Sequence, residues 1–157
     1  MCDYSLCGIP NRLAVEGEDL LVHRFSTGSM GLASVADLQE CKRTKETAPR
    51  KNFLRRLKDW LEQADQFASA PAVCIPPGAQ LTVRNIPPVL QRRFHLAQEE
   101  TAVFTQITSE VNRYRDALRF QSGGEVLLQY LSEGLPMRVV SLEGATERVA
   151  PEVSVAG

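Results

Sequence analysis

The stretch TAVFTQITSEVNRYRDALRFQSGGEVLLQYLSEGLPMRVVSL, residues 101–142, decides the fold class because short β-prone runs alternate in it with turn-forming residues. Its Gly and Pro residues fall between the runs, at 121–124 and 132–136, where tight connections are expected. Together with an earlier run they predict a small C-terminal module, either β-barrel-like or a strongly twisted antiparallel sheet. The predicted strands are Gln80–Val83, Thr101–Thr108, Tyr114–Phe120, Glu125–Leu131 and Met137–Leu142.

The N-terminal part is also predicted to be β-rich, through about Ser34. Strands at Asp3–Gly8 and Leu20–Phe25 are separated by turn formers, which indicates a hairpin or meander. The small-residue run 25–31 lacks the Lys-Ser/Thr ending of a phosphate-binding loop, so we predict an ordinary connection there.

Three helices are predicted. Ser34-Val35-Ala36-Asp37 has the pattern of a capping box and predicts a helix start, and Pro88 predicts a second short helix that ends near His95. Between them, after Pro49, apolar residues recur at helical spacing and predict an amphipathic helix whose stripe packs mainly on the protein's own core. This stripe comprises Phe53, Leu54, Leu57, Trp60, Leu61, Ala64 and Phe67.

Charge is concentrated in the same region. The run from Lys42 to Lys58 has a balance of +7, opposed only by Glu46, although the whole chain of 157 residues has a net charge of −1. Such a run predicts a contact surface for an acidic protein, with nucleic acid as the alternative partner and a solvated helix face as the plain interpretation. The predicted partner-binding residues are Lys42, Arg43, Lys45, Arg50, Lys51, Arg55, Arg56 and Lys58.

These patterns define the predicted organisation. The chain is α+β, with a β-rich N-terminal segment, a central amphipathic helix and the C-terminal β module. The predicted units are residues 1–72, 73–143 and a tail at 144–157, with one compact domain as the alternative.

Cysteine chemistry offers an enzymatic alternative. Removal of Met1 leaves Cys2 with a thiol beside a free α-amine, the arrangement of an N-terminal nucleophile, with Asn11, Arg12 or His23 as polar helpers. Asp3, directly after Cys2, disfavours the thiolate, and we predict a structural Cys2 instead. The irregular spacing of the four cysteines and two histidines predicts free thiols and no metal site.

The opening Met-Cys-Asp-Tyr-Ser-Leu, followed by Asn-Arg-Leu-Ala-Val-Glu-Gly-Glu at 11–18 and His-Arg-Phe at 23–25, resembles an uncharacterised bacterial family. No function is assigned to that family, so the resemblance implies no residue roles.

Signatures of phosphoryl transfer, hydride transfer and Ser-His-Asp hydrolysis are missing from the sequence. It also lacks a signal-peptide pattern and any apolar run that approaches the roughly 20 residues of a membrane span. We therefore predict a cytoplasmic, non-catalytic binding or accessory protein without a cofactor. Alternatives are an enzyme or covalent-trapping protein that uses Cys2, and a nucleic-acid-binding protein.

Overall fold

The computed structural model of the chain describes residues 6–47, 70–110 and 113–144. These residues form an α+β fold with two helices and one large mixed sheet, as the sequence predicts for the fold class. The helices are α1 (Val35–Thr47) and α2 (Pro88–Phe94). The strands are β1 (Asn11–Leu13), β2 (Asp19–Arg24), β3 (Met30–Ser34), β4 (Ala72–Cys74), β5 (Gln80–Val83), β6 (Glu100–Gln106), β7 (Asp116–Phe120), β8 (Glu125–Leu127) and β9 (Pro136–Ser141).

The nine strands follow the order β1-β4-β3-β2-β9-β5-β6-β7-β8. β1 pairs in parallel with β4, and every other pairing is antiparallel. Within the part of the chain that the structure describes, β1 and β8 each pair with a single strand and form the two edges of the sheet. The sheet is open, so the barrel-like form of the C-terminal strands is not confirmed.

One sheet includes strands from both halves of the sequence. Pairing of β2 with β9 brings Leu20 opposite Met137, and the turn before β2 is bonded to the same strand through the Gly17 N–H and the Val139 carbonyl, 2.8 Å apart. β4 spans residues 72 and 73, where the sequence pattern changes, and it pairs with β1 and β3.

Two apolar clusters stabilise this sheet. The larger one runs along its length and includes Leu20, Leu81 and Leu118, all fully buried. The smaller one lies beside α1 and contains Leu6, Ile9, Phe25, Ala33 and Ala72, with Leu38 of the helix packed against it. The two clusters position the two regions that matter below, which are the α1 corner and the surface around α2.

Several predicted elements are confirmed. β5 and α2 have the predicted bounds, α1 begins directly after Ser34, and β2 matches the predicted strand Leu20–Phe25, but its hairpin partner is β3, which was not predicted. The run 25–31 is the connection between these two strands: the Gly28 N–H donates to the Phe25 carbonyl at 2.9 Å, as in a tight turn. The predicted helix after Pro49 and the predicted tail after Gly144 lie outside the described residues.

Other predicted elements are wrong. Within the predicted strand Asp3–Gly8, residues 6–8 form a turn in which the Ile9 N–H donates to the Leu6 carbonyl and Gly8 has a φ of 85°. The predicted strand Glu125–Leu131 ends at Leu127 and continues as a 3₁₀ turn, because Leu128 and Leu131 both face the core and are separated by about one 3₁₀ turn. β1 and β4 were missed because three residues are too few to show a period.

Candidate functional site

The predicted partner-binding residues begin on α1. Lys42 and Arg43 are exposed there, and Glu40 lies 3.8 Å from the Arg43 guanidinium as an i,i+3 neighbour. Lys45 lies within the bounds of α1, but its side chain is not among the described parts of the chain. The other five predicted basic residues lie outside the described residues.

A charged corner fixes the first turn of α1 to the sheet. Arg12 of β1 donates through Nε to Asp37 Oδ2 at 3.0 Å and through Nη1 to Glu18 Oε2 at 3.2 Å. Its Nη2 atom contacts the same two carboxylates. Glu18 also accepts the Val15 N–H at 3.1 Å and a hydrogen bond from the Ser34 side chain. We call Arg12, Glu18, Ser34 and Asp37 the α1 corner.

The charged states of this corner stabilise one another. Hydrogen bonds to Glu18 and Asp37 raise the pKa of Arg12 although partial burial opposes them. Burial alone raises the pKa of Glu18, but hydrogen bonds from Arg12, Val15 and Ser34, with the nearby positive charge, outweigh it and leave that pKa lowered. One arginine therefore pairs with two carboxylates at the point where α1 leaves the sheet, and the three side chains together keep a net charge of −1.

The nucleophile hypothesis finds no support in its predicted helpers. Cys2 lies outside the described residues. Arg12 is engaged by two carboxylates, and Asn11 is exposed and donates to the Ile9 carbonyl at 3.3 Å. His23 packs edge-on against Phe25, with 4.9 Å between ring centroids, and its Nδ1 lies 3.8 Å from Glu133.

The thiols differ from the prediction at one position. Cys7 is exposed and free, and Cys41 is half-buried and free, as expected. Cys74, which is buried in β4, is disulfide-bonded, so the prediction of a free thiol is wrong there. Within the described ranges, no group of three or more His, Cys, Asp or Glu side chains could hold a metal ion.

A surface groove lies between α2 and β8. A hollow of about 680 Å³ is lined by α2, by β8 and by the 3₁₀ turn, and a second hollow of about 400 Å³ adjoins it through Ile107 and Leu127, which line both. We call the two together the α2–β8 groove. Its walls include four of the seven large apolar side chains that are exposed among the described residues, namely Val89, Ile107, Tyr114 and Tyr130.

The residues under the groove pack closely but are only partly buried. None of the residues of α2 is fully buried, and Leu90 and Phe94 are partly buried side chains that pack against the main core. The ring of Phe94 lies against Gly124 of the β7–β8 turn, where an added Cβ would approach Phe94 Cδ1 to 2.5 Å. Gly124 is thus required for Phe94 to form this wall.

The backbone on both sides of α2 adopts an unusual conformation. Asn85 and His95 are the two residues other than glycine with positive φ in the described parts, at 53° and 55°. His95 ends α2 in this conformation, and the next N–H, of Leu96, donates to the Gln91 carbonyl at 2.9 Å. The predicted location of His95 at the helix end is confirmed, and a backbone cap accounts for it.

The arginines around the groove differ in whether a carboxylate pairs with them. Arg113 and Arg119 form ion pairs at 2.7 Å with Glu110 and Glu125. The positive charges of Arg113 and Arg119 are therefore largely neutralised. Arg93, on α2, instead packs 5.3 Å from the centroid of the Phe94 ring.

Sequence analysis missed this groove. Its exposed apolar residues come from α2, from the end of β6, from the segment before β7 and from the 3₁₀ turn, so no local pattern joins them. One local signal was present, because the short helix α2 carries an apolar Val89 together with Arg92, Arg93 and Phe94. The residues that lie opposite α2 depend on the order of the strands, which no local pattern shows.

Comparisons with protein-family profiles, curated proteins and solved structures found no match for this chain. Neither helix in the described ranges is long and apolar enough to cross a membrane.

Proposed function

We propose that this chain is a non-catalytic binding protein that contacts an acidic protein partner through the basic stretch beginning at Lys42. The observation that supports it is the placement of α1. Leu38 and the Asp37–Arg12 ion pair hold the first turn against the sheet, while Lys42 and Arg43 of the following turns are exposed. A rigidly anchored helix that presents cations loses little conformational entropy on binding.

Electrostatics favours an acidic partner. Glu40 lies 3.8 Å from Arg43, and both side chains are more than 70% exposed, so this ion pair is weak and leaves the positive charge accessible to solvent. Positive surfaces of this kind increase association rates with acidic surfaces and make the affinity dependent on salt.

The test is a binding titration with two polyanion probes. Fluorescein-labelled polyglutamate of 20 residues represents an acidic polypeptide, and a labelled 20-nucleotide thymidine strand represents nucleic acid. We expect polyglutamate to bind and its affinity to fall at least about tenfold in Lys42→Glu/Arg43→Glu, since charge reversal replaces attraction by repulsion. Arg84→Glu/Arg138→Glu, with the same net change elsewhere on the surface, should retain binding.

Each result decides between the candidates. Tighter binding of the thymidine strand, with a steep salt dependence that the reversal removes, would replace the proposal with the nucleic-acid alternative. Unchanged binding of both probes in the reversed variant would show that the stretch is a solvated helix face and overturn the proposal.

The cytoplasmic location stays a prediction. Disulfide bonds are rare in cytosolic proteins, so the disulfide at Cys74 is the observation that weighs against it. Peptide mapping without reduction, on protein prepared from its native cells, measures whether Cys74 is oxidised there.

A further inference from the structure

The α2–β8 groove combines a hollow of ligand-site size with a group of exposed apolar side chains. Its larger hollow, at about 680 Å³, falls within the range of ligand sites in proteins. Isolated exposed apolar side chains are common, but a cluster that includes Val89 at 64% and Tyr130 at 75% exposure is not. Burial of such a cluster by a partner is favourable because apolar area leaves water.

The shape of the groove favours an extended occupant. The two hollows share Ile107 and Leu127 and so form one continuous depression that runs from α2 to Tyr114. Leu127 belongs to β8, which is an edge of the sheet in the described structure and pairs only with β7. An edge strand presents unpaired N–H and C=O groups, and an extended peptide can satisfy them by adding a strand.

Charge determines which peptide fits. Arg93 lines the groove, and Arg92 is its neighbour in the last turn of α2. Both side chains are exposed, and neither forms an ion pair with any residue that the structure describes. At the opposite wall Glu125 is neutralised by Arg119 at 2.7 Å. The groove therefore carries net positive charge beside α2, which attracts carboxylates and repels the chain's own basic stretch at 42–58.

We propose that the α2–β8 groove binds an extended, acidic peptide segment of a partner protein. The apolar side chains of the peptide fill the space between Val89, Ile107 and Tyr130, its backbone pairs with the edge of β8 that no described strand covers, and one carboxylate contacts Arg93. This surface differs from the basic stretch that begins at Lys42 and gives the protein a second, mainly apolar contact. Glu125 lies at the wall and five of the twelve lining residues are aliphatic, so the lining suits a peptide better than a nucleic-acid strand.

The experiment is a selection of random twelve-residue peptides displayed on phage against the immobilised full chain, followed by anisotropy titration of synthesised, labelled peptides. We expect the enriched peptides to combine aliphatic residues with Asp or Glu. Their affinity should fall at least about tenfold in Ile107→Asp and in Arg93→Glu, which introduce a negative charge at the apolar and the basic wall.

Matched controls locate the effect. Val140 is exposed to 49% on β9, outside the groove, so Val140→Asp repeats the apolar-to-acidic change elsewhere, and Arg84→Glu repeats the charge reversal. Both should retain peptide binding. Gly124→Ala adds no charge but displaces the Phe94 ring, and we expect it to weaken binding as well.

Three outcomes would overturn the proposal. One is that no peptide is enriched over the immobilised Ile107→Asp variant. The second is that the enriched peptides lack acidic residues or bind Arg93→Glu as tightly as the wild type. The third is that a 20-nucleotide thymidine strand displaces the peptides and itself depends on Ile107 and Arg93. Peptide binding that survives Lys42→Glu/Arg43→Glu separates this result from that of the proposed function.

Discussion

The α1 corner and the α2–β8 groove contain similar residue types but differ in how their charges are satisfied. In the corner, Arg12 contacts Glu18 and Asp37, and the side chains of both carboxylates are more than two-thirds shielded from solvent. In the groove, Arg93 faces an aromatic ring and has no carboxylate partner among the described residues, although exposed apolar side chains surround it.

This difference separates a structural role from a binding role. Charges that are paired within the fold contribute to its stability and leave little capacity for a ligand. Unpaired cations beside an apolar hollow contribute little to folding and retain their capacity for a partner. Substitutions in the α1 corner should therefore lower the free energy of unfolding, whereas substitutions in the groove should lower the affinity for a partner.

The largest expected effect comes from matched aromatic truncations. Phe25 is 3% exposed and packs in the small cluster beside α1, so Phe25→Ala should lower the free energy of unfolding by about 3–5 kcal/mol. Phe94 is only partly buried at the groove, and Phe94→Ala should cost about 1–2 kcal/mol. Urea unfolding of both variants measures the difference, and equal losses would break the comparison.

Removal of the corner cation should have the next largest effect. Arg12→Met leaves two partly buried carboxylates close together, and we expect a loss of about 1–3 kcal/mol of unfolding free energy, between the values for exposed and buried pairs. Arg119→Met, at the more exposed Arg119–Glu125 pair, is the control and should cost less than about 1 kcal/mol. A loss for Arg12→Met no larger than that of the control would show that the corner is not structural.

Acid should weaken the corner through Glu18. Its folded pKa is lowered below the ordinary value of 4.5, so the folded protein binds fewer protons than the unfolded chain just below that pH. The stabilisation is fully present above about pH 4.5 and is lost as the pH falls through the lowered folded value. We expect the unfolding free energy of the wild type to fall more steeply below this pH than that of Glu18→Gln, measured by urea titrations at several pH values.

The smallest effects on stability are expected in the groove. Val89→Ser and Tyr130→Ser replace side chains that are mostly in water, and each should change the unfolding free energy by no more than about 0.5 kcal/mol. Thermal and urea unfolding supply the measurement. A loss above about 1 kcal/mol in either variant would mean that the groove belongs to the protein's own packing.

Local patterns predicted the elements with clear local signals. Pro88 fixed the start of α2, Ser34 preceded α1, and the alternation in Gln80–Val83 gave β5 its bounds. β3 was not recognised because all five of its residues are buried, so it shows no alternation. The fold class could thus be predicted, whereas the open nine-strand order could not, because it depends on pairings between distant residues such as Leu20 and Met137.

The candidate sites divide in the same way. A run of like charges is visible in a sequence, so a contact surface that includes Lys42 and Arg43 could be predicted from it, and it stays a prediction. The α1 corner joins Arg12 to Asp37 across 25 positions, and the groove joins Val89 to Tyr130, so neither has a local signature. The disulfide at Cys74 was missed because irregular cysteine spacing carries no pairing information.

Unfolding free energy and peptide affinity, determined on the same samples of Arg12→Met and Ile107→Asp, test the separation of the two regions most directly. We predict that Arg12→Met loses stability and retains the affinity of its folded fraction for the selected acidic peptide. We predict that Ile107→Asp retains stability and loses affinity at least about tenfold. If Ile107→Asp instead unfolds as readily as Arg12→Met, or if Arg12→Met loses peptide binding while fully folded, the assignment of one region to structure and the other to binding is contradicted.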